Sequence, residues 1–272
     1  MTVEDTAQTF TDVDLTGSTF DSVDLTGASF EHVDLSNATL RFIDLTGARL
    51  SMVDMVDVTI KADLRNVVIN GVDIAPLVDA ELDRRHPGRA AMRPVDADGF
   101  RAAWQLLEGL WDSTIDHARR LPTELLNERV DGEWSFLQTL RHLVFATDAW
   151  VSRAMLGVRA PWHPLSLPWE QMRGEPGYPM DKNARPSLGE VLAIMQDRIA
   201  LVRDLFATLD DDRLAGMTEP VDGIGWPPTE AFPVREVLLT VLNEEWEHRM
   251  YAERDLDILD ARISDGGPGE PR

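Results

Sequence analysis

From Phe10 to Ile60 a large apolar residue returns at every fifth position: Phe10, Leu15, Phe20, Leu25, Phe30, Leu35, Leu40, Leu45, Leu50, Met55 and Ile60. A strict short period constrains a fold severely, because every unit must adopt the same conformation. Two positions away from this row runs a smaller one, Val13, Val23, Ala28, Val33, Ala38, Ile43, Ala48, Val53 and Val58, with Asp, Ser, Thr or Arg between. Such alternation buries two side chains and exposes the one between them, as in a short strand. A period of five matches neither a helix nor a flat strand, but it suits a chain that turns a corner after each unit and stacks coil on coil. After a slip of one residue the rhythm resumes at Leu64, Ile69 and Ile74.

The units VDLTG, ASFEH, VDLSN, ATLRF, IDLTG and ARLSM resemble the pentapeptide-repeat family over roughly residues 8 to 77. The resemblance implies a right-handed quadrilateral β-helix of three to four coils, here with Val preferred to Ala at the inner small position. Asp14, Asp24, Asp34, Asp44 and Asp54 would line its outside. That acidic face invites comparison with the pentapeptide-repeat proteins that mimic DNA; a solvated face on a structural appendage is the plainer reading, since the stack is short. A docked protein partner or self-association through the β-helix remains open.

The chain carries a formal charge of -22, which argues against nucleic acid as a partner, because phosphate contacts depend on Lys and Arg. Lys61 and Lys182 are its only lysines, and this Arg bias with abundant Ala, Gly, Pro, Asp and Val suggests a GC-rich bacterial genome. With no cysteine, disulfides, iron–sulfur clusters, thiolate zinc sites and a cysteine nucleophile are excluded, and any metal falls to His, Asp and Glu. No apolar run is long enough to span a bilayer, and MTVEDTAQTF lacks the features of a secretory signal, so a cytoplasmic, non-membrane protein is expected.

The repeats stop after residue 77, and residues 78–99 are expected to hold a capping helix, ended by Pro87, and a linker. From Phe100 the spacing becomes helical. Amphipathic helices are predicted at about 100–120, 135–156, 187–209 and 234–261, and Ser135 with Gln138 and Ser187 with Glu190 are capping-box patterns. Four such helices with two long connections predict an all-α four-helix bundle over 100–264, followed by a flexible tail, 265–272.

On the last helix an apolar stripe through Val237, Val241, Tyr251 or Ala252, and Leu259 passes over Glu244 and His248 in NEEWEHRMYAERD. An acid and an imidazole four residues apart can reach one ion, although alone such a pair is more often a solvated ion pair. His142, on the second helix, is the best third ligand; its other reading is a hydrogen-bonded core histidine. Three ligands of His, Glu, His type that leave positions open suit a catalytic metal, zinc first, with nickel, iron or manganese also compatible. Glu245 and Glu247 are expected to point away from the stripe into solvent. His163, in PWHPL, reads either as an acid–base group or as a loop residue. Trp162, Trp169 and Trp226 either wall a pocket or close the bundle end. His32 and His86 have no partner suggesting a site.

The segments DGEWSFLQTLRHLVFATDAW and VREVLLTVLNEEWEHRMYAERDL resemble the second and fourth helices of the DinB-like four-helix metalloproteins, over about residues 95 to 262. That superfamily includes mycothiol-dependent maleylpyruvate isomerase and the mycothiol and bacillithiol S-transferases. Many members carry HxxxH on the fourth helix; Glu244 replaces the first His here, as in the mycothiol-dependent isomerase branch. The resemblance implies metal ligands His142, Glu244 and His248, with mycothiol or a similar small thiol as co-substrate for transfer to an electrophile or for isomerisation. The rival expectation is a non-catalytic metal-binding or interaction protein.

Overall fold

The computed structural model describes residues 10–19, 23–40, 43–169, 172 and 181–264, so Phe20 of the repeat and the tail 265–272 lie outside the described residues. The chain divides into two compact units, Met1–Ala62 and Asp63–Arg272.

In the first unit the five-residue period is written in the backbone. Asp12, Gly17, Gly27, His32, Asn37, Gly47, Met52 and Asp57 all have positive φ, so a left-handed residue recurs at five-residue steps. The motif DLTG or DLSN makes the corner. The Asp14, Asp24, Asp34 and Asp44 carboxylates accept hydrogen bonds from the backbone N–H groups of Thr16, Thr26, Ser36 and Thr46 at 2.8–2.9 Å. One residue on, Gly17, Gly27, Asn37 or Gly47 takes the left-handed turn position that only Gly and Asn adopt cheaply. These four carboxyls are held below their usual range by hydrogen bonds from Thr16, Thr26, Ser36 and Thr46. The row of acids is therefore first a row of turn makers.

The strands expected of a quadrilateral β-helix do not appear among the described repeat residues. Among the described residues 10–62 there is no strand. The large apolar row, from Leu15 to Leu50, stays 42–64% exposed. In a wall one chain thick, such side chains depend on neighbouring coils for cover, and among the described residues no ladder joins successive coils.

The second unit opens with a hairpin instead of further coils. Val68–Ile69 (β1) pairs antiparallel with Val72–Asp73 (β2) across Asn70-Gly71, both at positive φ, the signature of a two-residue primed turn. The unit boundary at Ala62 thus precedes the expected end of the repeats at residue 77. Helix α1 (Ala75–Arg85) follows. Its Asp79 and Asp83 pair with Arg89, at 2.8 and 2.7 Å, which ties it to the 3-10 turn Arg89–Met92.

The bundle consists of α2 (Ala97–Ala118), α3 (Phe136–Thr147), α4 (Leu188–Ala207) and α6 (Val234–Ser264), with the short α5 (Asp211–Leu214) before the last. All four long helices fall where their periodicity predicts, and both capping boxes form as the sequence indicates. The second differs in one respect: beyond Thr147 it continues as a π-helix, Asp148–Met155. Helix α3 packs on α4 and α6, and α2 packs on the same two, which closes the ring. One core cluster gathers Phe100, Trp104, Phe206, Leu238 and Trp246, the other Trp111, Leu140, Val144, Val191 and Leu256. No helix among the described residues is long and apolar enough to cross a membrane.

Two buried guanidinium groups hold the long connections. Arg141 donates to the carbonyls of Leu165, Asp181 and Ala184 at 2.6–3.2 Å. Arg153 donates to those of Arg159, Val221, Gly223 and Pro227 at 2.6–3.2 Å. Gly225 passes so close that a Cβ there would stand 2.7 Å from the Arg153 guanidinium carbon. An Arg153→Met variant keeps the packing volume but strands several carbonyls, each worth about 1–3 kcal/mol. Urea denaturation of that variant is expected to show a loss of roughly 3 kcal/mol or more.

Candidate metal centre

His142 is set on α3 one residue after Arg141, so the same turn that anchors the connection also aims the imidazole. Arg141 Nε reaches Leu165 O at 2.7 Å, and the Leu167 N–H donates to Arg141 O at 3.0 Å. This places Leu167 O 2.9 Å from His142 Nδ1. A carbonyl only accepts, so Nδ1 carries the proton and Nε2 presents its lone pair.

That lone pair faces α6. His142 Nε2 lies 3.4 Å from Glu244 Oε2, and His248 Nε2 lies 3.2 Å from the same oxygen. One ligand atom from each of the three residues falls within 4.8 Å of the other two. Ligands bound at 2.0–2.2 Å in a tetrahedron stand roughly 3.4 Å apart, so two of the three separations already suit a common ion. Trp134 packs against both rings, tilted on His142 at 4.4 Å and stacked on His248 at 5.7 Å between centroids, and restrains them. Nothing in the spacing of the ligands named Trp134; its only sequence signal is its place just before the Ser135 cap, about two turns ahead of His142.

The electrostatics favour a cation. Burial alone would raise the Glu244 carboxyl, but the two imidazoles facing it, His142 and His248, outweigh burial and hold the acid well below its usual range. Burial lowers the His142 pKa, which keeps the ring neutral and able to ligate. The adjacent acid behaves oppositely.

Glu245, expected in solvent, is 5% exposed. Its position continues Leu238 and Leu242 through Ala252 and Leu256, so the centre of the buried stripe runs one residue away from Glu244. Glu247 is half-exposed. Desolvation pushes the Glu245 carboxyl up to about 8, opposed by the Trp111 indole, whose N–H has no hydrogen-bond partner of normal geometry.

The remaining predicted residues lie on the two long connections. His163 is bound into its own turn: its backbone N–H donates to Asp148 Oδ2 at 3.0 Å, and its Nδ1 accepts from the Leu165 N–H at 3.1 Å. Asp148, fully buried, pairs with Arg198 at 2.8 Å. Trp162 stacks on Phe145 at 5.2 Å, Trp169 meets Phe145 edge-on at 6.0 Å, and Trp169 meets Trp226 at 5.1 Å. Phe145 in turn lies 6.3 Å from His142. The three tryptophans therefore form one half-buried aromatic wall leading to the centre.

A family model described as the DinB superfamily matches residues 106–252, more than half of the chain, and a model described as pentapeptide repeats (8 copies) matches residues 14–51 and 24–61. The chain belongs to the DinB superfamily and carries a pentapeptide-repeat region N-terminal to its helical domain. Neither the curated proteins nor the solved structures contain a match.

A protonated Glu245 gives the metal-free protein a distinctive pH dependence. Its folded pKa lies above the ordinary value of 4.5, so the folded chain keeps a proton that the unfolded chain releases. This contribution is complete below about pH 4.5 and is lost as pH rises through about 8. In chelator-treated protein, Glu245→Gln should flatten that decline and be more stable than wild type at pH 8, by on the order of a few kcal/mol in urea titrations.

Proposed function

We propose that the chain is a metal-dependent thiol S-transferase or isomerase, with His142, Glu244 and His248 as the ligands of a divalent ion, zinc first, and a small thiol such as mycothiol as co-substrate. The observation that carries this reading is the convergence of His142 Nε2, Glu244 Oε2 and His248 Nε2, with the His142 tautomer set by Leu167 O. The donor set suits zinc: two imidazoles and a carboxylate, three protein ligands in all, with a position left for a substrate. A cation there would lower the pKa of a thiol at the open position, so that a thiolate nucleophile forms near neutral pH, the service a catalytic cysteine would otherwise give.

The chain's own residues do the rest. Leu167 O and Trp134 hold the imidazoles in ligating orientation. Phe145, Trp162, Trp169 and Trp226 offer an apolar aromatic surface for an electrophile or for the body of the thiol. His163, with Nδ1 engaged, has Nε2 for proton transfer as the leaving group departs. We further infer that the protein works in the bacterial cytoplasm, where small thiols stay reduced, and that the repeats close into a right-handed β-helix, supported by left-handed corners at five-residue steps. A second reading, an interaction protein that docks a partner or another copy of itself through the repeats, is favoured by their exposed apolar rows.

Metal analysis of the full chain should find a bound divalent ion at the centre, and His142→Ala and His248→Ala should each weaken its retention at least tenfold. Cobalt-substituted wild type, mixed with mycothiol, should develop a sulfur-to-metal charge-transfer band that neither variant shows. Full retention of metal in both variants would sink the ligand assignment; metal without the band would leave a metal protein that is not a thiol enzyme.

A further inference from the structure

We propose that the C-terminal turns of α2 and α6 form a second divalent-cation site, separate from the His142 centre, built from His117, Glu253 and Asp257 with Asp260 behind. His117 lies in the last turn of α2, while Glu253, Asp257 and Asp260 follow one another at four- and three-residue steps along α6. That spacing puts all three carboxylates on the face of α6 that meets α2, whereas Glu244 and His248 face α3.

The imidazole is the unusual member. His117 is 9% exposed, and its buried Nε2 has no hydrogen-bond partner. Carboxylates nevertheless surround it: Nδ1 lies 3.8 Å from Glu253 Oε2 and 3.9 Å from Asp257 Oδ1, and Nε2 lies 3.8 Å from Asp260 Oδ2. These separations exceed a hydrogen bond, yet they fall within the roughly 3–4 Å spread of donors sharing one ion at 2.0–2.2 Å. One ligand atom each from His117, Glu253 and Asp257 lies within 4.8 Å of the others. An ion on Nδ1 leaves Nε2 to carry the proton toward Asp260, the carboxylate–histidine–metal relation that orients ligating imidazoles.

Other groups prepare the acids for this. Glu253 Oε1 is held by the Thr114 hydroxyl and by Arg249 Nη2, 3.4 Å away, which turns Oε2 toward His117. Arg249 Nε in turn donates to Thr114 Oγ1 at 3.1 Å. Three carboxylates against one guanidinium leave two formal negative charges, a match for a divalent ion. The negative end of the α2 dipole adds to the same potential. Asp257 and Asp260 are exposed, so the ion would keep water ligands and exchange with solvent. One imidazole with carboxylates and water suits zinc or manganese.

Zinc binding by the full chain, measured by equilibrium dialysis at moderate salt, tests the site. The variant His142→Ala/His248→Ala isolates it and should still bind one zinc per chain. Adding His117→Ala should abolish that binding, and adding Asp257→Asn, at an exposed position that leaves the core intact, should weaken it at least tenfold. The proposal is overturned if His142→Ala/His248→Ala binds no zinc, or if its zinc is held equally well after Asp257→Asn.

Discussion

Guanidinium groups donating to backbone carbonyls are the interaction on which the bundle's site depends. The described residues of the two long connections contain little secondary structure, so their carbonyls lack the regular partners that a helix or sheet would supply. Arg141 and Arg153, both buried on the second long helix, supply those donors to three and four carbonyls respectively. Arginine suits this role because its five N–H groups point in fixed directions and stay protonated even when burial lowers the pKa, as it does for Arg141. The consequence reaches the metal centre directly. With Leu165 O bound by Arg141, Leu167 O comes to lie against His142, and the tautomer that can ligate follows.

The second theme is the different fate of neighbouring acids. Glu244 and Glu245 are adjacent on α6, yet one is driven down by two imidazoles and the other up by desolvation. An ionised Glu244 beside a neutral Glu245 keeps one negative charge at the centre instead of two. A few turns on, Glu253, Asp257 and Asp260 gather round a histidine with which they make no direct hydrogen bond. Helix α6 thus carries acids facing α3 and acids facing α2, and the chemistry of each group is set by the helix opposite.

Much of this was legible in the residues. The spacing of apolar positions located all four bundle helices, and SFLQ and SLGE announced their capping boxes because a cap is a contact within a single turn. The stripe on α6 was harder. Read from Val237 and Val241 it lands on Glu244; continued through Leu238 and Leu242 it lands on Glu245, which is the position the core takes up. A helical face is about 100° wide, so neighbouring residues compete for its centre and only packing against α2 and α3 decides. The repeats show the converse. Their period set the corner at each fifth residue, while the burial expected of Leu15, Leu25, Leu35 and Leu45 requires coils to cover one another, a condition no single unit contains.

By itself the sequence determined what is local: the five-residue corners made by Asp, Gly and Asn, the extent of the helices and their caps, and the i, i+4 pairing of Glu244 with His248. Tertiary structure alone decided that Leu167 O would orient His142, that Trp134 would cover both imidazoles, that Glu245 would be buried and that His117 would meet three acids of α6. The physical reason is sequence distance. Backbone propensity and side-chain spacing act within a turn or two, whereas these contacts join residues separated by 25 positions in the case of His142 and Leu167, and by more than a hundred between α2 and α6.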